Sequence, residues 1–103
     1  MKITDLILEV NRSMYRTYVY LEHAEDADIS DIANIIRGLD QVVVVNNKSN
    51  KEDTRPRALL QVKIMTTGPA LESFEALKKL AMTTVPEIKK FQYSQRHIEQ
   101  VDI

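Results

Sequence analysis

A chain of 103 residues that is 44% hydrophobic and 28% charged has the length of one domain and the composition of a folded one, so neither a disordered segment nor a protein with two cores is expected. With no cysteine, disulfides, thiolate metal centres and cysteine nucleophiles are excluded. A net charge of −1, from 14 basic and 15 acidic side chains, gives no whole-chain attraction to nucleic acid or to an anionic membrane.

The opening stretch MKITDLILEV has only the apolar run Leu6 to Leu8, too short for a signal-peptide core and far short of a membrane span. A cytoplasmic protein with no membrane partner is the expectation, in a host cell or in a virion if the gene is carried by a phage. Ile3, Leu6, Ile7, Val10 and Met14 recur at helical spacing and predict a short amphipathic helix within residues 1–14, with Thr4 or Asp5 as its cap. From Tyr15 to His23 the residues become bulky β-formers, which predicts the first strand. Ile29, Ile32, Ala33, Ile36 and Leu39 return to helical spacing, with Gly38 as a stop signal.

Gln41 to Val45 holds four consecutive valines and reads as a short strand covered on both faces. The polar stretch NNKSNKEDTRPR, residues 46–57, then separates it from ALLQVKIMTT, in which Leu60, Val62 and Ile64 alternate with Gln61, Lys63 and Met65. Two strands joined by a polar loop predict a hairpin. Gly68-Pro69 ends the second of them and presets a helix whose apolar stripe is Leu71, Phe74, Leu77, Leu80 and Ala81. Pro86 closes that helix, and Phe91, Tyr93 and Ile98 mark a last strand whose alternation slips between Tyr93 and Ile98, where a bulge or an early end is expected.

This order predicts an α+β fold of ferredoxin-like βαββαβ type. It would have a four-stranded antiparallel sheet with two helices on one face, formed by residues 15–103 and preceded by the short N-terminal helix of residues 1–14. The other face of such a sheet needs cover. Tyr18, Tyr20, Leu60, Val62 and Tyr93 are the side chains expected to supply an interface there, and a homodimer the expected result. Charge is unevenly spread, with eight acids and four bases in residues 1–40 against seven acids and ten bases in residues 41–103, a pattern compatible with self-association.

The densest chemistry lies in HAEDADISD, residues 23–31. Asp26, Asp28 and Ser30 match the first positions of a calcium loop, but Asp31 stands where that loop needs glycine and Arg37 where it needs a bidentate glutamate. Asp28 followed three residues later by Asp31 instead resembles a helix start, where acidic groups gain roughly 0.3–1 kcal/mol each from the dipole. No metal and no cofactor are expected. His23, Asp26 and Asp28 remain the candidate ligand-binding set, and Lys51, Arg55 and Arg57 in the hairpin loop the candidate anion contacts. Glu52 and Asp53 offset those cations and no aromatic signature accompanies them, so nucleic acid is not the expected partner. His23 and His97 have no histidine at ligand spacing, and the two glycines, Gly38 and Gly68, form no phosphate-cradling loop.

The segments DISDIANIIRGLDQVVVVNN and ESFEALKKLAMTTVPEIKKFQY, in this order, resemble the small-molecule-regulated ACT domain and its ferredoxin-like relatives along residues 16–100. ACT domains approach an amino-acid ligand through a glycine-containing turn after the first strand, whereas EHAEDAD, residues 22–28, has no glycine. By size and by its charged hairpin the chain is also similar, more loosely, to short uncharacterised proteins of tailed bacteriophages. The expected function is a non-enzymatic, self-associating assembly or binding module with protein partners. The alternative is an ACT-like sensor of a small metabolite.

Overall fold

The computed structural model describes residues 12–101 of the chain. Strand β1 runs Ser13–His23, helix α1 Ile29–Arg37, β2 Val42–Asn47, β3 Arg57–Thr66, helix α2 Ala70–Thr84 and β4 Ile88–Tyr93; a 3-10 turn at Gln95–His97 leads into β5, Glu99–Val101. The helix expected over residues 1–14, and with it the domain boundary at residue 14, falls almost wholly outside the described residues. At its last turn Ser13 and Met14 are strand, paired with Thr66 and Met65.

The sheet runs β2-β3-β1-β4 with every neighbouring pair antiparallel, and β5 also pairs with β1. The four-stranded βαββαβ sheet expected from the sequence is therefore corrected to one of five strands. The length of β1 is the cause. Its residues Val19–His23 pair with β4, which leaves Met14–Arg16 without a partner on that edge. At Ser94 the chain steps out of the ladder: the Ser94 N–H donates to Tyr18 O at 3.0 Å and Thr17 Oγ1 donates to Ser94 O at 2.7 Å. After the 3-10 turn it re-enters as β5 on the vacant stretch. The break lies where the apolar alternation slips after Tyr93.

Both helices cover one face of the sheet. Side chains directly opposite on antiparallel strands share a face, and the pairs Val19↔Leu60, Thr17↔Val62 and Leu21↔Phe91 place these residues beneath the helices. Ile32, Ala33 and Ile36 of α1 and Phe74, Leu77 and Ala81 of α2 close over them, joined by Val45, Ile64 and Val85. Removing a ring such as that of Phe74 from a core of this kind costs about 3–5 kcal/mol.

Local chemistry sets the helix ends. Asp28 caps α1, its Oδ1 accepting the Ser30 N–H at 2.8 Å, so this part of the acidic cluster is a helix start. At α2, Ser73 Oγ donates to Pro69 O and lies 2.9 Å from Thr66 Oγ1. These bonds fasten the first turn of α2 to the end of β3 and satisfy a buried pair of hydroxyls. The left-handed residue in the reversal after α1 is Gln41, at φ 71°, and not Gly38, at φ −83°. Among the described residues no helix is long and apolar enough to cross a membrane.

Candidate functional site

Two surfaces bring candidate residues together. The first is the sheet face opposite the helices. Met14, Arg16, Tyr18, Tyr20 and Glu22 alternate on β1 and oppose Met65, Lys63, Gln61, Leu59 and Arg57 of β3. Val44 and Asn46 continue this face on β2, Gln92 and Lys90 on β4, and Glu99 and Val101 on β5. Tyr18 is 39% exposed and Leu59 40%, while Met14, Tyr20, Val44 and Met65 are half-buried.

Of the interface residues expected from the sequence, Tyr18 and Tyr20 lie on this face. Leu60 and Val62 do not: both are fully buried under the helices. Tyr93 is also on the helix side, its ring stacked on Phe74 with centroids 5.9 Å apart and its hydroxyl donating to Glu75 at 2.7 Å. Burial, and then the Glu75 bond, hold the Tyr93 phenol above the usual tyrosine range. The correction follows from register. A shift of one residue exchanges the faces of a strand, so the side chains next to the tyrosines are Leu59 and Gln61 and not Leu60 and Val62. The adjacent leucines Leu59 and Leu60 conceal that phase in the sequence.

Charge on the face is one-sided. It carries Arg16, Arg57, Lys63 and Lys90 against Glu22 and Glu99, a net +2 on a chain whose total is −1. Arg16 is ion-paired with Glu99, and Arg57 Nε donates to Asp53 at 2.9 Å, a bond that pushes the guanidinium above its already high ordinary value. Tyr20 donates to Glu22 at 2.9 Å. Lys63 and Lys90 form no ion pair among the described residues.

The second surface is a cleft of about 710 Å³ at one end of the sheet. The expected ligand set His23, Asp26 and Asp28 and the expected anion contacts Lys51, Arg55 and Arg57 all line it, although they come from loops distant in sequence. The ladder explains this: Glu22 pairs with Arg57 and the His23 N–H donates to Pro56 O at 2.9 Å, so the turn after β1 and the hairpin loop emerge side by side.

The cleft's polar groups are largely engaged with one another. Asp53 accepts from Arg55 Nε at 2.9 Å and Nη2 at 3.2 Å as well as from Arg57. Asp28 is the helix cap. His23 is 7% exposed, and its Nδ1 lies 2.8 Å from Ala24 O, which makes Nδ1 the donor. The hairpin loop itself is built from side-chain turns, with Asn47, Asn50 and Asp53 accepting the N–H groups of Ser49, Glu52 and Arg55. Elsewhere, Ser94 Oγ and His97 Nδ1 are 2.6 Å apart, an arrangement local to the 3-10 turn with no third group orienting the imidazole among the described residues. No group of three or more histidines, aspartates or glutamates is placed to hold a metal ion among the described residues. No protein-family model and no curated protein matches the chain.

Proposed function

We propose that this protein is a binding module, not a catalyst, and that it works through the face of its sheet that carries no helix among the described residues. The observation that carries the reading is the exposure of Tyr18 and Leu59, diagonal neighbours in the middle of that face, beside the half-buried Tyr20. Large apolar and aromatic groups gathered on one surface mark an interaction site more often than they occur by chance on a monomer. The side chains best suited to acid–base work, Tyr20 and His23, are bonded to their immediate neighbours Glu22 and Ala24.

The sheet's edges favour contact through the face. On β2 a register shift between Val42 and Val44 interrupts the ladder, and β4 places Lys89 and Lys90 on its exposed edge; both devices discourage strand addition. Self-association, the first use expected of this face, would bring four basic side chains against four more, with two glutamates on each copy to offset them. A partner of opposite charge suits the surface better.

Tyr18→Glu tests the module. With helix content and melting unchanged, loss of partner binding supports the reading. Binding that survives Tyr18→Glu and Leu59→Glu together moves the working surface elsewhere.

A further inference from the structure

We infer that the partner is a single-stranded nucleic acid, laid across the sheet face opposite the two described helices with its bases on Tyr18 and Tyr20. The inference rests on the binding-module reading above and names the occupant of the same surface. Tyr18 and Tyr20 are two residues apart on β1, so their side chains leave the same side of the strand from Cα positions about 7 Å apart. Aromatic rings at that spacing on an open sheet give successive unpaired bases a surface to stack on, whatever their identity. A duplex keeps its bases stacked inward and gains nothing from them.

The cations are arranged to follow a backbone past those rings. Lys63 lies opposite Arg16 at one end of the tyrosine pair, and Arg57 and Lys90 flank Glu22 at the other. Lys63 and Lys90, with no ion pair among the described residues, are the groups available to phosphates. The overall −1 charge does not oppose this, because at physiological salt a charge is felt over only about 8 Å, and Lys63 and Lys90 on this face carry no ion pair among the described residues. On the neighbouring strands three amides lie to the side of the tyrosines, Gln61 beside Tyr18, Gln92 beside Tyr20, and Asn46 beside Gln61, each offering donor and acceptor to a base edge. Apolar, amide and cationic groups interleaved in this way fit a polymer of bases and phosphates better than they fit a second copy of the same positive surface.

The test is fluorescence anisotropy of labelled ten-nucleotide oligo-dT and oligo-U, with a duplex of mixed sequence as control, titrated with the full chain at about 50 mM salt. Binding of one or both single strands, weaker binding of the duplex, and a 5- to 100-fold loss on Tyr18→Ala that Tyr18→Phe restores is the expected result; the range is roughly that of one base stack. Lys63→Gln should reduce the salt dependence by about 0.7 in log–log slope. The relative affinities of dT and U separate DNA from RNA as the source.

Absence of binding to either single strand overturns the proposal. So does binding that ignores Tyr18→Ala but disappears with Lys51→Gln and Arg55→Gln, because the contact would then lie on the hairpin loop. Light scattering on the same samples separates this failure from failure of the module itself. A mass near twice the 11.9 kDa chain that falls to one chain in Tyr18→Glu keeps the face as the working surface and assigns it to a second copy. A mass of one chain that Tyr18→Glu does not change, with no oligonucleotide bound, removes both the nucleic acid and the second copy as occupants.

Discussion

Tyr20 and Leu59 are cross-strand partners on the side of the sheet that carries no described helix, while the next residue along, Leu60, pairs with Val19 in the core. One step of register thus separates a surface leucine from a fully buried one. Tyr18, diagonal to Leu59, completes an exposed apolar centre that charged residues surround at both ends.

The two leucines should therefore differ sharply in urea unfolding. Leu60→Ala empties a site under the helices and is expected to cost about 2–5 kcal/mol. Leu59→Gln should stay within about 0.5 kcal/mol of the parent, as surface substitutions usually do. A larger cost at Leu59 than at Leu60 would mean that the strand sits in the other register.

Much of this arrangement is legible from the sequence, but the decisive part is not. The helices announce themselves, α1 through Ile29, Ile32, Ala33 and Ile36 and α2 through Leu71, Phe74, Leu77 and Ala81, because an apolar stripe at helical spacing has few competing readings. Strand β5 is hidden: Glu99–Val101 contains a single apolar residue, and its place depends on the length of β1. The phase of β3 is concealed by Leu59 next to Leu60 and by Met65 at an outward position. Arg16, Arg57, Lys63 and Lys90 are scattered along the chain, and only pairing across the strands gathers them on one face. Tyr93 reads as a surface aromatic until its partners Phe74 and Glu75, eighteen or more residues away in α2, come into view. The cleft has the same origin, since only the β1–β3 ladder joins His23 to Arg57.

Stability at high pH should report on Tyr93. Its phenol is held above the ordinary value of about 10 by burial and by Glu75, so the folded state keeps that proton more tightly than the unfolded chain does. The stabilisation from this group is complete below pH ~10 and is lost as pH rises through the folded-state value. The Tyr93 phenol should ionise above the ordinary tyrosine value of about 10 in an ultraviolet titration, and Tyr93→Phe should flatten the loss of stability above pH ~10. Ionisation of Tyr93 at or below the ordinary value of about 10 would contradict the assignment.

Asp53 should govern the order of the hairpin loop. It accepts the Arg55 N–H and two arginine side chains, so Asp53→Ala frees four donors at once. Exposed ion pairs are worth roughly 0–1 kcal/mol, and the loss in global stability should lie in that range. Amide exchange of Arg55 and Arg57 should quicken more than that of Val62. An unchanged exchange pattern would show that the loop is held by Ser49, whose Oγ accepts the Leu59 N–H, and not by the aspartate.

The most direct test of the central claim is an amide chemical-shift map of the full chain recorded as single-stranded oligonucleotide is added to saturation. The largest shifts are expected on Tyr18, Tyr20, Leu59, Gln61 and Lys63, with Ile32 and Ala33 of α1 and Leu77 of α2 left in place. Largest shifts in the loops of residues 23–29 and 47–57, or a spectrum that does not change, would contradict it.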